Sequence, residues 1–307
     1  MLNDIQKHIL DVVSGMAADS KGAVNIRADG KKAYRSNTPN VRIESKTDKE
    51  GIDIFVEPFT KADHVYIPVV VTEEGFHDTV YNDFYIGEGA NVVINAGCGI
   101  HNCSGCDSEH EGIHTFHIGK NAVVTYSEVH YGEGDGEGKR ILNPQTILYL
   151  EEGAKVTLET TQIRGVDDTK RYTKAVLNGA GAEFIVQEKL LTHHQQNAES
   201  EMDIILNGEG SSTRVISRSV AQDQSTQVFY PRVVGNTACF GHVQCDSIIM
   251  GTAKVRSIPE ISCNHVDAGL IHEAAIGKIA GDQILKLQTL GLSYEEAEEK
   301  ILEGFLR

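Results

Sequence analysis

The chain has 307 residues, 40% of them hydrophobic, enough to bury a large core. Acidic side chains number 44 and basic ones 28, a formal charge of −16, which disfavours nucleic acid or an anionic membrane surface as partner and suits a basic protein or a metal cation. The N-terminus MLNDIQKHILDVV lacks a basic segment followed by a long apolar run, and the longest apolar stretch is the short VYIPVVV, so a soluble, cytoplasmic protein with no membrane span is expected. In that compartment the six cysteines read as thiols or ligands, not as a disulfide framework.

Ile5, Ile9 and Val12 fall at helical spacing and predict a helix within residues 4–14. Ala18 to Thr38 is polar with scattered glycine and predicts a loosely structured entrance, so that residues 1–40 form an N-terminal helical or loop segment. The middle of the chain is repetitive. YIGEGANVVINAG, HIGKNAVVTYSEVHYG, YLEEGAKVTLETTQIRG, VLNGAGAEFIVQEKL and ILNGEGSSTRVISRSV share an apolar pair, a turn of Gly, Glu or Asn, and a short alternating strand. The leading apolar residues Ile86, Ile118, Leu150, Leu177 and Leu206 recur at steps of 32, 32, 27 and 29 residues, the signature of stacked repeats. No helical pattern lies between the strands, which leaves a βαβ architecture without its crossovers. The prediction is a mainly β chain with a parallel β-helix over residues 41–279; the rival is an antiparallel sandwich, which would not require one motif to recur so regularly.

Residues 96–119, AGCGIHNCSGCDSEHEGIHTFHIG, hold three cysteines and four histidines. Cys98, Cys103 and Cys106 read C-x4-C-x2-C, a spacing used by iron–sulfur ligands, and with His114 they also suit zinc. The alternative is that the cysteines are small apolar residues and the histidines lie on a solvated loop. GEGDGEG (132–138) is too acidic for phosphate and reads as a flexible turn. His193 and His194, adjacent on a strand, would point to opposite faces and read as surface residues. No G-x-S-x-G, H-E-x-x-H or Walker pattern occurs, so hydrolase and nucleotide-hydrolysing readings have no motif.

Beyond residue 279 the pattern becomes helical. Asp282 is placed to cap one helix that Gly291 ends, and Ser293 with Glu296 forms a capping box for a second. The stretches HVQCDSIIMG, IPEISCNHVDAGLIHEAAIGKIAGDQILKLQTLG and LSYEEAEEKILEGF resemble the SufB/SufD family, the scaffold proteins of the SUF iron–sulfur cluster assembly system. The likeness is close over IHEAAIGKIAGDQ and the two helices after it, and extends to the repeats from about residue 80 onward.

The resemblance implies a right-handed parallel β-helix with a short N-terminal helical segment and a C-terminal helical hairpin (280–307) on which a SufC-like ABC ATPase docks. It implies a non-enzymatic scaffold that builds a transient iron–sulfur cluster from iron and a sulfur donor, a cysteine desulfurase or sulfide, and hands it to apo iron–sulfur proteins. Glu273 matches the glutamate proposed as a cluster ligand in the SufB branch, and His272 falls where the SufD branch has its functional histidine. Both stand on one chain, which implies a homodimer in place of the SufB–SufD pair. The family cysteine expected near residues 251–258 has no counterpart, nor has the long N-terminal extension of larger SufB proteins. Cys245 and Cys263 are the available thiols, so the expected assembly site is Cys263, Glu273, His272 and Cys245. Carboxylate or imidazole ligation makes a cluster labile, which suits a scaffold. Cys98, Cys103, Cys106 and His114 are then a sulfur entry point or second metal site. Two other functions stay open at this point: a zinc- or iron-dependent enzyme using residues 98–117, and a metal-free β-solenoid that binds other proteins.

Overall fold

The computed structural model describes residues 2–16 and 20–307. Fifty-six per cent of the chain is strand, wound into a β-solenoid of about 8 turns. Each turn places one strand in each of two sheets. One sheet stacks Ala23–Ala28, Asp63–Val71, Asn91–His101, Val123–Glu133, Lys155–Arg164, Glu183–Thr192, Ser212–Ala221, Phe240–Ile249 and Gly269–Gly277 in parallel; we call it sheet A. The facing sheet B runs from the hairpin Val41–Ser45/Gly51–Val56 through His77–Ile86, Ser108–Ile118, the consecutive short strands Arg140–Leu142 and Gln145–Leu150, Asp168–Leu177, Asn197–Leu206 and Thr226–Gly235 to the short strands Lys254–Ser257 and Glu260–Cys263.

The repeat read from the sequence is the register of the fold. Ile86, Ile118, Leu150, Leu177 and Leu206 pair in succession along sheet B. In the turn after each, the backbone takes a left-handed conformation at Gly89, Asn121, Gly153, Gly181 and Gly210, with φ between 56° and 68°. Glycine and asparagine tolerate that conformation best. Between the sheets, residues at period two form one continuous core, in which Phe84 stacks on Phe116 with ring centroids 4.1 Å apart.

The N-terminal stretch is more ordered than its composition suggests. Residues 18 and 19 lie outside the described residues, but the rest of the expected loose entrance contains an antiparallel hairpin, Ala23–Ala28 with Lys31–Ser36. Val24 and Ile26 pack with Tyr66 and override the polar composition. Helix α1 (Asp4–Val13) is capped by an Asn3–Gln6 box and buries Ile9 and Val13, leaving Ile5 and Val12 exposed. It lies against the outer face of Asn91–His101, where a Cβ on Gly97 would collide with Val13 and one on Gly99 with Ile9. The glycines of AGCGI therefore serve the helix, while Cys98 between them faces inward.

At the other end, α2 (Gly281–Gln288) and α3 (Tyr294–Phe305) form a helical hairpin around Ile284, Ala297 and Leu302. Ser293 and Glu296 make both bonds of the expected capping box. Asp282 is not the cap of α2: Ala280 holds that position without a side-chain bond, and Asp282 lies in the first turn, where its charge favours the helix dipole. His193 and His194 sit in a turn after Glu183–Thr192, not on the strand, with their rings 4.5 Å apart. No helix among the described residues is long and apolar enough to cross a membrane.

Candidate functional site

Two of the expected C-terminal site residues meet. Cys245 points inward from Phe240–Ile249 and is buried, and its Sγ lies 3.3 Å from Nε2 of His272 on the last strand of sheet A. Burial pushes the Cys245 thiol up to about 12, with Glu188 and Asp246 adding to the rise. Burial, then the neighbouring His242, lowers His272 and favours its neutral, ligating form. Glu273, one residue on, points the opposite way and is exposed, with its Oε1 3.1 Å from His242 Nε2. Cys263 is exposed at the end of the last strand of sheet B, paired with Gly235. The expected four residues thus share the last two rungs but divide: Cys245 and His272 meet in the lumen, Cys263 holds an inward register position at its open end, and Glu273 points outward.

The Cys/His stretch separates likewise. Cys98 is buried in the lumen, and burial, then Asp78 and Glu128, raise its thiol well above the ordinary range. His114 faces the lumen from sheet B, hydrogen-bonded to Tyr126 Oη at 2.6 Å and to Asn82 Nδ2 at 3.1 Å; burial lowers it to about 4. Cys103 and Cys106 are exposed on a corner loop. Cys103 Sγ lies 3.2 Å from His101 Nε2, whose Nδ1 is 3.1 Å from Glu133 Oε1, and Glu133 also accepts from Tyr131 Oη at 2.9 Å. This thiol–imidazole–carboxylate sequence is the arrangement that activates a nucleophile. The loop is rigidly built. Buried Asn102 donates to the carbonyls of Cys106 and Lys139 and accepts from Ser104. The GEGDGEG stretch, expected to be a flexible turn, stacks on it instead: Gly136 N and Gly138 N donate to the carbonyls of Asn102 and Ser104, and side chains at 134, 136 and 138 would strike the backbone of the cysteine loop. Among the described residues, no group of three or more His, Cys, Asp or Glu side chains is arranged to hold a metal ion.

What joins the two ends was missed in the sequence. In sheet A from Val123–Glu133 to Phe240–Ile249 the first inward positions are mostly apolar and the later ones mostly polar. The register stacks Ala96, Glu128, Thr160, Glu188, Ser217 and Cys245 in one column. The neighbouring column runs Cys98, His130, Gln162, Leu190, Ser219 and Ser247. Arg171 enters from sheet B and donates to Glu128 Oε2 at 2.7 Å and to His130 Nδ1 at 3.0 Å, while Glu188 accepts from Ser200 and Ser217. Burial alone would raise Glu128, but His130 and Arg171 outweigh it and hold the carboxyl well below its usual range. Thr160 Oγ1 and Gln162 Oε1 are buried there without a protein partner. Beside them lies a cavity of about 10 Å3, and one of about 20 Å3 lies among Cys98, His110, His114, Glu128 and His130; each is of single-water size. The signal was present: Glu128, His130, Glu188 and Arg171 fall on core-facing positions of the alternation, where a charge demands a partner.

Residues 71–305 match the family profile described as SUF system FeS cluster assembly, SufBD core domain. Relatives include an iron–sulfur cluster assembly SufBD family protein of Methanocaldococcus jannaschii, 27% identical over 77% of this chain and 74% of its own length. One from Pyrococcus horikoshii is 25% identical over 88% of this chain and 82% of its length. One from Methanothermobacter thermautotrophicus is 25% identical over 77% of this chain, which spans just 57% of that relative.

Proposed function

Because the chain belongs to the SufB/SufD family of iron–sulfur cluster assembly proteins, we propose that it is a non-enzymatic cytoplasmic scaffold on which a cluster is built as cargo. The observation that carries this reading is the stacked polar interior linking buried Cys98 to the Cys245–His272 pair. Cys103, with His101 and Glu133 behind it, attacks the outer sulfur of a desulfurase persulfide and the desulfurase thiolate leaves; a thiol reductant then frees that sulfur as hydrosulfide, for which the polar lumen is the route toward Cys245. Neutral His272 and the Cys245 thiolate then bind incoming iron, whose charge offsets the burial that holds the thiol protonated.

Glu273 and Cys263 complete the ligand set across a homodimer interface. The last rung supports that interface, since among the described residues its strands have no further neighbour and Ile258, Ile261, Ile271 and Ile276 are between 37% and 47% exposed. The hairpin 280–307 is the docking unit for a SufC-like ABC ATPase, and the sulfur comes from a cysteine desulfurase or free sulfide.

Anaerobic reconstitution with iron and sulfide tests the reading. Cluster-type absorption that passes to an apo-ferredoxin, and that Cys245→Ser and His272→Ala both remove, is the expected result. Normal reconstitution of those variants, with loss in Cys98→Ser or Cys106→Ser, would move the site to the other end. Stoichiometric zinc without transferable cluster would favour an enzyme using residues 98–117.

A further inference from the structure

The N-terminal mouth of the lumen contains a cavity unrelated to the cysteines, about 250 Å3 in volume. It lies between the hairpin 23–36 and the hairpin 41–56, over an apolar floor of Ile52, Ile67, Val69 and Val80. Five cationic side chains line it, Arg27, Lys32, Arg35, Lys46 and Lys49, against one carboxylate, Glu50. In a chain of net charge −16, such a concentration opposes the overall field.

Two of the five are committed to the fold. Arg27 is held by Asp78 at 2.9 Å and by Glu50, and Lys46 sits between Asp53 and Asp83. Among the described residues no ion pair is made by Lys32, Arg35 or Lys49; the Lys49 ammonium lies 4.3 Å over the Tyr81 ring. Arg35 is the informative one. Its Nε donates to Asn25 Oδ1 at 2.9 Å and its Nη1 to Ser45 Oγ at 3.0 Å, both neutral acceptors, so the guanidinium is aimed but not neutralised. Burial accordingly lowers its pKa. A partly exposed guanidinium held by neutral acceptors keeps its charge available to an incoming anion. Ser45, having accepted from Arg35, keeps its own proton to donate. A preset guanidinium beside a free hydroxyl is an oxyanion receptor.

We propose that this cavity binds a small, multiply charged organic oxyanion. Arg35 and Ser45 grip one anionic group, Lys32 and Lys49 balance the remaining charge, and the apolar floor supports the carbon body. The volume equals roughly eight waters' share of liquid, too small for a polymer or a dinucleotide and suited to a polycarboxylate or a sugar-sized phosphate ester.

Calorimetric titration of the full-length, metal-free protein with citrate and with glycerol 3-phosphate tests this and tells carboxylate from phosphate. The metal-free protein keeps the outcome independent of cluster chemistry. Saturable binding of one molecule per chain is expected for at least one probe, weakened about tenfold by Arg35→Gln and several-fold by Ser45→Ala. Lys155→Gln, on the outer face beside Glu183, should bind as the wild type does. Unchanged thermal unfolding of each ligand-free variant shows that the loss is local. The proposal is overturned if neither probe saturates by about 10 mM, if Arg35→Gln and Ser45→Ala both bind normally, or if Lys155→Gln weakens binding as much as they do. If Arg35→Gln does not fold, Ser45→Ala and Lys49→Gln decide the matter by the same criteria.

Discussion

Cys98 and Cys245 face one lumen from the same sheet, in adjacent columns five rungs apart, or about 24 Å along the axis at strand spacing. Their separation in sequence hides this, since a solenoid converts a repeat of about thirty residues into a single step. Apart from Leu190, the groups between them are charged or polar at positions where the fold elsewhere puts valine, leucine and phenylalanine. A column of that kind is costly to bury, and Arg171, Glu128, His130 and Glu188 offset the cost by bonding among themselves and with serines.

Gln162 separates stability from function. Its Oε1 is buried without a protein partner, so leucine, of similar volume, should leave stability unchanged or raise it by up to about 1 kcal/mol. If the lumen carries sulfur, Gln162→Leu should slow cluster formation from a persulfide donor while leaving formation from free sulfide intact. Equal rates from both sources would remove the lumen from the pathway.

Arg171→Ala acts in the opposite sense. It leaves Glu128 and Glu188 buried without their cation, and breaking such a network costs about 3–5 kcal/mol. Urea unfolding should show the loss as a lower midpoint with little change in slope. Arg171→Met with Glu128→Gln should recover part of it.

Acid should destabilise the protein before its carboxylates titrate. Unfolded histidine takes a proton near pH 6.5, but buried His114 does so only near 4. Between those values the unfolded state holds more protons, so the stability contributed by neutral His114 is full above 6.5 and falls as the pH drops toward 4. His130, lowered chiefly by burial, acts with the same sign. His114 alone should remove about 2 kcal/mol between pH 7 and pH 5. In urea unfolding at the two pH values, His114→Gln should show a correspondingly smaller loss; an undiminished loss would assign it to other groups.

The glycine-rich stretch 132–138 should control the thiol of Cys103. A methyl at Gly138 would run into the Cys106 backbone, and a clash of this kind typically costs 1–3 kcal/mol by the order of magnitude for overpacking. Gly138→Ala should lower the unfolding temperature and slow iodoacetamide labelling of Cys103 toward the rate of Cys106. His101→Asn should slow labelling without the thermal loss. Equal labelling of Cys103 in all three proteins would mean that the imidazole does not activate it.

The solenoid was legible because each turn repeats a left-handed Gly or Asn and an apolar pair, and local repetition survives without knowledge of tertiary contacts. The site was legible only in part. His272 and Glu273 are adjacent in sequence, yet strand alternation sends one into the lumen and the other to solvent. Cys98, Cys103 and Cys106 look like one ligand set, but Cys98 ends within a strand core and the other two on a corner loop. Spacing along the chain cannot distinguish a residue on a strand from one in the turn after it, a limit that also misplaced His193 and His194.

The helical hairpin carries the last expectation. Ile284 is 5% exposed and binds α2 to α3, whereas Leu285 on the same helix is 60% exposed and Leu290 just beyond it 75%. A two-helix unit needs the first kind of leucine-sized residue to fold and has no internal use for the second. Exposed leucines grouped on a short capped hairpin are the anchors by which such a unit enters a partner's groove. Replacing Leu285 and Leu290 by Asp should therefore abolish co-purification with a SufC-like ATPase, a loss of at least about 2 kcal/mol for an anchor of this kind. Circular dichroism and the urea midpoint of the solenoid should stay as in the wild type. Ile284→Asp supplies the contrast: it should unfold the hairpin itself and reduce helical signal along with binding. If the double aspartate variant still retains the ATPase while Ile284→Asp loses it, the partner reads the hairpin's shape and not these leucines, and the docking face lies elsewhere on α2 and α3.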